Sequence, residues 1–310
     1  MNNDYDPNAD PTKTLINYNQ LIKNIPEDWR KTQGADIKIA ILDTGFYLNH
    51  PDLKNRIKAE NVYNAVNFSQ DVSGNEEHGT CIAGLIGAKS DNSKSGIIGL
   101  APSSIMGLVK IYDENDVIQP AYLIEGLRWS IDVFKANIIN MSFNPSLEND
   151  SINNIIQKIK EAEVENIALM AAAGDEADLL KKFQEYAATL TTLIQDNIIS
   201  VGAVSNDFLN KYSENDLNDY VEFMLPYIGL YSCSNNTSKY IPTPPGCSLS
   251  TAIISGLISI IKSYKGKKIS IDEIKTSLKS VAKQYSSNYP QWGKNAFDAI
   301  FRNKKDINNV

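Results

Sequence analysis

The sequence predicts an α/β fold built on a mainly parallel central sheet, and two patterns carry that prediction. Short, almost continuous apolar runs recur along the 310 residues, at 37–42 (IKIAIL), 105–111, 138–141, 167–172 and 198–204. Strands covered on both faces need such runs. Between them lie stretches of helical periodicity, at 79–88, 121–134, 152–163 and 177–193, so strand and helix alternate. In sheets of this kind ligands sit at the carboxyl ends of the strands. That rule draws attention to Asp43, to 140–143 and to Asp175, where apolar runs give way to polar residues.

Taken in order, residues 1–18 are rich in Asn, Asp, Pro and Thr and read as a loose leader. A short helix is expected at 18–29, then the first strand, which ends at Asp43-Thr44-Gly45. Near the other end, 246–256 (GCSLSTAIISG) opens on a small polar turn and runs into an apolar helix. Ser248 there is either an N-cap or a nucleophile. Ser270 caps a further helix at 271–282, a turn follows at 285–290, and a last helix is expected at 295–300.

Composition narrows the function classes. With 42% hydrophobic residues the chain can bury a large core. A net charge of −7 and the lack of a basic cluster argue against a nucleic-acid partner. No run approaches 18 apolar residues, and the first residues have neither a basic nor an apolar segment, so the expectation is a cytoplasmic protein without membrane contact. Three cysteines, Cys81, Cys233 and Cys247, are too few and too scattered for a disulfide framework or a zinc site.

Only two histidines, His50 and His78, are available to a mechanism that needs a near-neutral base. His78 stands in HGTCIAG, at the start of a helix that is apolar or small on every face, where a capping or core role is the plain reading. Asp43 ends a buried strand, where it either closes an Asx-turn with Thr44 and Gly45 or meets a partner that offsets its burial. Together the chain offers an acid, a histidine and a serine in the order Asp, His, Ser, one of the orders in which serine triads occur.

On these residues the chain resembles the subtilases, the subtilisin-like serine proteases. The resemblance rests on ILDTGFYLNHPDL at 41–53, HGTCIAG at 78–84 and GCSLSTAIISG at 246–256, with GLAP at 99–102, INMSF at 139–143, AAAGD at 171–175 and VGAV at 201–204 in support. It implies a three-layer fold, with residues 1–24 an extension lacking a prodomain, 25–301 the catalytic domain and 302–310 a polar tail. It also implies a serine endopeptidase in which Ser248 attacks the peptide carbonyl, His78 moves the proton and Asp43 holds the imidazole; His50 is expected to be structural. The family's oxyanion asparagine corresponds to Asp175 and its threonine before the nucleophile to Cys247, leaving the Ser248 amide as the conventional donor. An ionised carboxylate cannot donate a hydrogen bond. Asp175 is therefore protonated, or acts through water in a slower enzyme, or marks a peptide-binding pseudoprotease.

Substrate is expected to add as a strand between Val117-Ile118 and Ser142-Phe143-Asn144, with Ala173-Gly174 beside it. Phe143-Asn144 replaces the usual Leu-Gly and should narrow the pocket, and Pro120 should remove a ladder donor. Cys81 reads as a small buried residue beneath the triad. No cofactor is required, structural calcium is an option near Asp52 and Asp91, and the protein is expected to act as a monomer on an extended peptide. Within the family the resemblance is to cytosolic members: general intracellular subtilisins, or the leader peptidases of class I lanthipeptides, the latter preferred from the altered site.

Overall fold

The computed structural model describes residues 31–89, 96–143, 149–172, 197–204, 222–226, 231–235, 240–243, 246–281, 283–286 and 289–291. In chain order the elements are β1 (Lys38–Asp43), β2 (Val62–Asn64), α1 (His78–Gly87), β3 (Ile105–Lys110), α2 (Pro120–Arg128), β4 (Ile138–Met141), α3 (Asn149–Val164), β5 (Ala168–Ala172), β6 (Ile198–Val204), β7 (Phe223–Pro226), β8 (Tyr231–Cys233), β9 (Tyr240–Pro242), α4 (Cys247–Lys265), α5 (Ile271–Val281), β10 (Lys283–Ser286) and β11 (Tyr289–Gln291).

Nine of these strands form one sheet in the order β10-β11-β7-β6-β5-β4-β1-β3-β2, and β8 pairs with β9 in a separate ribbon. Every pairing in the large sheet is parallel except β10 with β11. β1 lies between β3 and β4, so the chain reverses its direction of travel across the sheet there. That switch point is where an open parallel sheet leaves a crevice.

Strand periodicity assigns residues to the two faces. From β1, Ile39 and Ile41 enter a core cluster with residues of α1 and α4, whereas Ala40 and Leu42 enter the cluster of α2 and α3. β4 divides likewise: Ile138 belongs to the α1–α4 cluster and Ile139 and Met141 to the α2–α3 cluster. By the same alternation Asp43, Asn140 and Ser142 face the α1–α4 side, and Phe143 faces away from it.

The 19-residue α4 is apolar enough to cross a membrane, yet 83% of its most apolar window is buried within the fold, so it is a core helix. Its last turn holds Lys262, 0% exposed. Lys262 Nζ donates to the carbonyls of Asn166 and Lys267 at 3.4 Å each, and burial lowers its pKa to about 8.

The expected strands and helices that fall within the described residues appear with small shifts in their ends, and several readings are corrected. The helix expected at 121–134 is α2 followed by a π-helical turn, Trp129–Val133, where Phe134 N–H reaches back five residues to the Trp129 carbonyl. The expected turn at 285–290 is instead the β10–β11 pair, whose mixed Lys, Gln, Tyr and Ser pattern shows no apolar alternation. β2, β8 and β9, of three residues each, were too short to register. The helices expected at 18–29, 177–193 and 295–300 lie outside the described residues.

Replacing Lys262 with Met should raise the urea midpoint at pH 7, because the wild-type chain must bury an ammonium there. The folded pKa of Lys262 lies below its unfolded value of 10.5. Wild-type stability therefore climbs as pH rises from about 8 to 10.5, and the advantage of the variant should shrink over that interval in urea titrations.

Candidate active site

Asp43 is the last residue of β1, 1% exposed, in register with Lys110 of β3. Its Oδ1 accepts hydrogen bonds from Thr44 N–H at 2.7 Å and the Thr44 hydroxyl at 3.2 Å, and it lies 2.7 Å from His78 Nδ1. The Asx-turn and the histidine partner thus share one oxygen. Asp43 Oδ2 is buried and has no hydrogen-bond partner among the described residues. Next to β3, burial and the Asp43 charge raise the pKa of Tyr112, which stays a neutral phenol.

His78 opens α1, and the turn before it is pressed against the end of β1. Phe46 N–H donates to the Val72 carbonyl at 2.8 Å, and Gly79 N–H donates to the Thr44 hydroxyl at 3.2 Å. Gly45 has φ +149°, and a Cβ there would stand 2.8 Å from Gly74 Cα. A Cβ on Gly79 would run into the Gly45 carbonyl. The glycine after the histidine is therefore a close-approach residue that lets α1 start directly on the β1 turn. Burial pulls the imidazole towards its neutral form, but the charge and hydrogen bond of Asp43, helped by the charge of Glu76, outweigh it and leave the pKa raised. With Nδ1–H directed at Asp43, Nε2 is left for a proton acceptor role.

Ser248 is the second residue of α4, and Gly246 holds the N-cap position. The N-cap position open to Ser248 from sequence alone is thus held by a residue two positions earlier, which makes no side-chain cap. The Ser248 hydroxyl donates to the Ser142 carbonyl at 3.1 Å, and the Ser142 hydroxyl donates back to the Ser248 carbonyl at 3.1 Å. Asn140 Nδ2 donates to the Ser142 hydroxyl at 2.9 Å, and the single Ser255 O–H is shared between Asn140 Oδ1 at 2.9 Å and the Thr251 carbonyl at 2.8 Å. The end of β4 is stitched in this way to the first three turns of α4. Sequence reasoning did not single out Asn140 or Ser255 for this role; Asn140, the one polar residue of β4, was the available signal, whereas Ser255 is one of several hydroxyl residues in α4.

Asp43 and His78 are joined directly, and Ser248 is held on the adjoining strand end with its hydroxyl turned to Ser142 rather than to the imidazole. The Ser248 amide lies in the first turn of α4, where N–H groups have no intrahelical acceptor and the helix dipole favours negative charge. Cys247 beside it is 6% exposed. Asp175, the other residue expected at the oxyanion, and Ala173, Gly174 and Asn144, expected beside the substrate, lie outside the described residues.

On the substrate side, Ser142 is 2% and Phe143 7% exposed. Phe143 joins the α2–α3 cluster together with Ile118, so the ring is a core group on the far face and does not narrow a pocket on the Ser248 face. Val117 is 49% exposed, but its N–H donates to Asp113 Oδ1 and its carbonyl accepts from Asp113 N–H, both at 3.1 Å. Pro120 is the first residue of α2, where a missing N–H costs nothing; it starts a helix and withdraws no donor from a ladder.

His50 is fully buried, its Nδ1 accepting from Asp52 N–H at 3.2 Å and its ring edge-on to Tyr240. Asp52 Oδ2 accepts from Ile97 N–H and the Tyr240 hydroxyl, each at 2.8 Å. Donor atoms of His50, Asp52 and Cys233 come within 4.8 Å of one another, but imidazole and thiol are not the all-oxygen set that calcium takes. Asp91, the other residue of the calcium expectation, lies outside the described residues. Cys81 is 2% exposed, and burial pushes its thiol up to about 12, so it is an inert small residue.

Comparison with known proteins agrees with this geometry. The sequence profile of the subtilase family matches residues 34–303. The chain is 31% identical over 268 residues to the major intracellular serine protease of Bacillus subtilis (strain 168), covering 81% of this chain and 78% of that protein. It is 30% identical over 245 residues to the intracellular serine protease of Paenibacillus polymyxa, covering 76% and 70%. It is 27% identical over 300 residues to thermitase of Thermoactinomyces vulgaris, covering 96% and 99%. A carboxylate–imidazole pair and a helix-borne serine on adjoining ends of a parallel sheet, with family similarity along most of the chain, make this protein a member of the subtilase family, a subtilisin-like serine protease.

Proposed function

We propose that the chain is a processing endopeptidase that works through Asp43, His78 and Ser248. The observation that carries the triad is the 2.7 Å contact of His78 Nδ1 with a carboxylate buried at the end of β1. A rotation of the Ser248 side chain away from the Ser142 carbonyl would present Oγ to His78 Nε2. The imidazole takes the hydroxyl proton as Oγ bonds to the peptide carbonyl carbon, and returns it to the amine as the C–N bond breaks. Water then hydrolyses the acyl-enzyme by the same proton route. Asp43 holds the ring through Nδ1 and stabilises the imidazolium. The Ser248 amide faces the developing oxyanion, with Cys247 and Asp175 in the places of the family's other donors.

Restricted specificity follows from the loop at 113–117. A peptide read through its main chain needs free N–H and C=O groups on the strands beside it. The Val117 groups are both engaged by Asp113, which leaves recognition more dependent on side chains. Removal of a leader from a lanthipeptide precursor is the substrate reading we favour, with the peptidase acting in the cytoplasm as a monomer. The second reading is a general intracellular subtilisin, with which the names of the two intracellular relatives are compatible.

In steady-state assays on a cleavable peptide, Ser248→Ala and His78→Ala should each lower kcat by roughly 10⁶-fold and Asp43→Asn by roughly 10⁴-fold. Because the pKa of His78 is raised, the imidazole stays protonated to higher pH, and kcat/KM should fall on the acid side with an apparent pKa above that of free histidine. Asp43→Asn should move that limb to lower pH. In a substrate comparison, a lanthipeptide precursor should be cut at one site while casein is left largely intact; extensive digestion of casein would support the general protease, and binding of the precursor without cleavage would support a peptide-binding module.

A further inference from the structure

The turn that carries His78 is gripped from outside the triad. Asn235 lies just beyond β8 and is remote in sequence from the histidine, yet its amide reaches both sides of it. Asn235 Nδ2 donates to the Glu76 carbonyl at 2.7 Å, with longer contacts to the carbonyls of Gly74 at 3.3 Å and Asn75 at 3.4 Å. Its Oδ1 accepts from the Thr80 hydroxyl. Thr80 is 0% exposed and its Oγ1 accepts from Tyr47 N–H at 2.9 Å. One amide therefore holds a carbonyl two residues before His78 and a hydroxyl two residues after it.

Neighbouring residues extend the same seam. The Ser234 hydroxyl donates to Glu77 Oε1 at 2.6 Å, and the Ser232 hydroxyl donates to the Cys81 carbonyl at 2.6 Å. The segment 232–235 thus runs along residues 74–81. The need for such a grip is visible at the helix start. Glu77, at the N-cap position of α1, makes no side-chain capping bond, and the carbonyls of 74–76 have no place in a helix or strand. Gly79 N–H on Thr44, the imidazole on Asp43 and the Ser234 and Ser232 hydroxyls tie other parts of the turn, and among the described residues Asn235 is the group that holds the carbonyls of 74–76.

We propose that Asn235 is a positioning residue for the histidine: by bridging Glu76 and Thr80 it sets the angle at which the His78 ring meets Asp43 and presents Nε2 to the nucleophile. This rests on the triad reading above. A displacement of the ring by a fraction of an ångström loosens the Asp43 contact, and small misplacements of a reacting group are costly in rate. The groups that face the imidazole electrostatically are Asp43 from β1 and Glu76 from its own turn, with Glu77 held by Ser234 and Tyr112 neutral beside Asp43.

Proton NMR of the imidazoles reads the positioning without relying on turnover, and with two histidines in the chain His50 serves as an internal reference. The variants are Asn235→Ala, which removes the bridge, and the isosteric Asn235→Asp, which keeps an acceptor for Thr80 but has no N–H to hold the Glu76 carbonyl. In both, the His78 Nδ1–H signal should move upfield and exchange faster with water while His50 is unmoved; in Asn235→Ala the His78 titration should also shift to lower pH as the Asp43 contact slackens, a shift that the added carboxylate of Asn235→Asp opposes. On a cleavable peptide, kcat should fall roughly 10- to 100-fold with KM changed less than about threefold. Folded variants with a wild-type His78 signal and titration would overturn the proposal, and so would loss of folding in both variants, which would make Asn235 a residue of fold stability. If the wild-type protein proved inactive on every peptide, the triad reading would fail while the NMR comparison still decided the role of Asn235.

Discussion

The contact between Asp43 and His78 is the constraint around which the rest of the site is arranged. A carboxylate at the end of a strand buried on both faces is tolerated only where something offsets its lost hydration. Here one oxygen collects the Thr44 amide, the Thr44 hydroxyl and the imidazole, and the other has no partner among the described residues. That geometry sets where α1 can begin. It requires glycine at 79, because the helix must start against the Gly45 carbonyl, and it brings Gly45 against Gly74.

The serine is placed by a separate set of interactions that begins in the same sheet. Since β1 and β4 are neighbours in parallel register, residues just past their ends share one edge. Alternation along β4 turns Asn140 and Ser142 towards α4 and Phe143 away from it. The Asn140–Ser142–Ser255 hydrogen bonds then fix the start of α4, and Gly246 at the N-cap leaves the Ser248 side chain without a capping duty. Two rigid helices, each seated by its own polar contacts on adjoining strand ends, supply groups that a loop could not hold as closely. The resting hydroxyl is on the Ser142 carbonyl.

Much of this was legible in the sequence because parallel strands buried on both faces must be apolar throughout. The runs at 37–42, 105–111 and 138–141 announced themselves for that reason, and the polar residue that ends each run marked the working edge of the sheet. The family motifs then supplied Asp43, His78 and Ser248. What stayed hidden depended on distance or on parity. Asn235 lies in a polar stretch with no periodicity, and its partners at 74–80 are more than 150 residues away. Phe143 looked like a pocket residue until alternation along β4 put its ring on the other face. Pro120 looked like a gap in a ladder and is the first residue of a helix. Val117 looked available to substrate, but Asp113 closes its main chain.

The central claim is that the buried Asp43–His78 pair makes the Ser248 hydroxyl nucleophilic. Its most direct test is intact-mass and peptide-level mass spectrometry of the folded protein after exposure to a fluorophosphonate, which forms a stable phosphonyl ester with an activated serine. The account predicts one adduct, on Ser248, absent from Ser248→Ala and from His78→Ala. A folded wild-type protein that takes up no label, or one labelled equally well without His78, would contradict it.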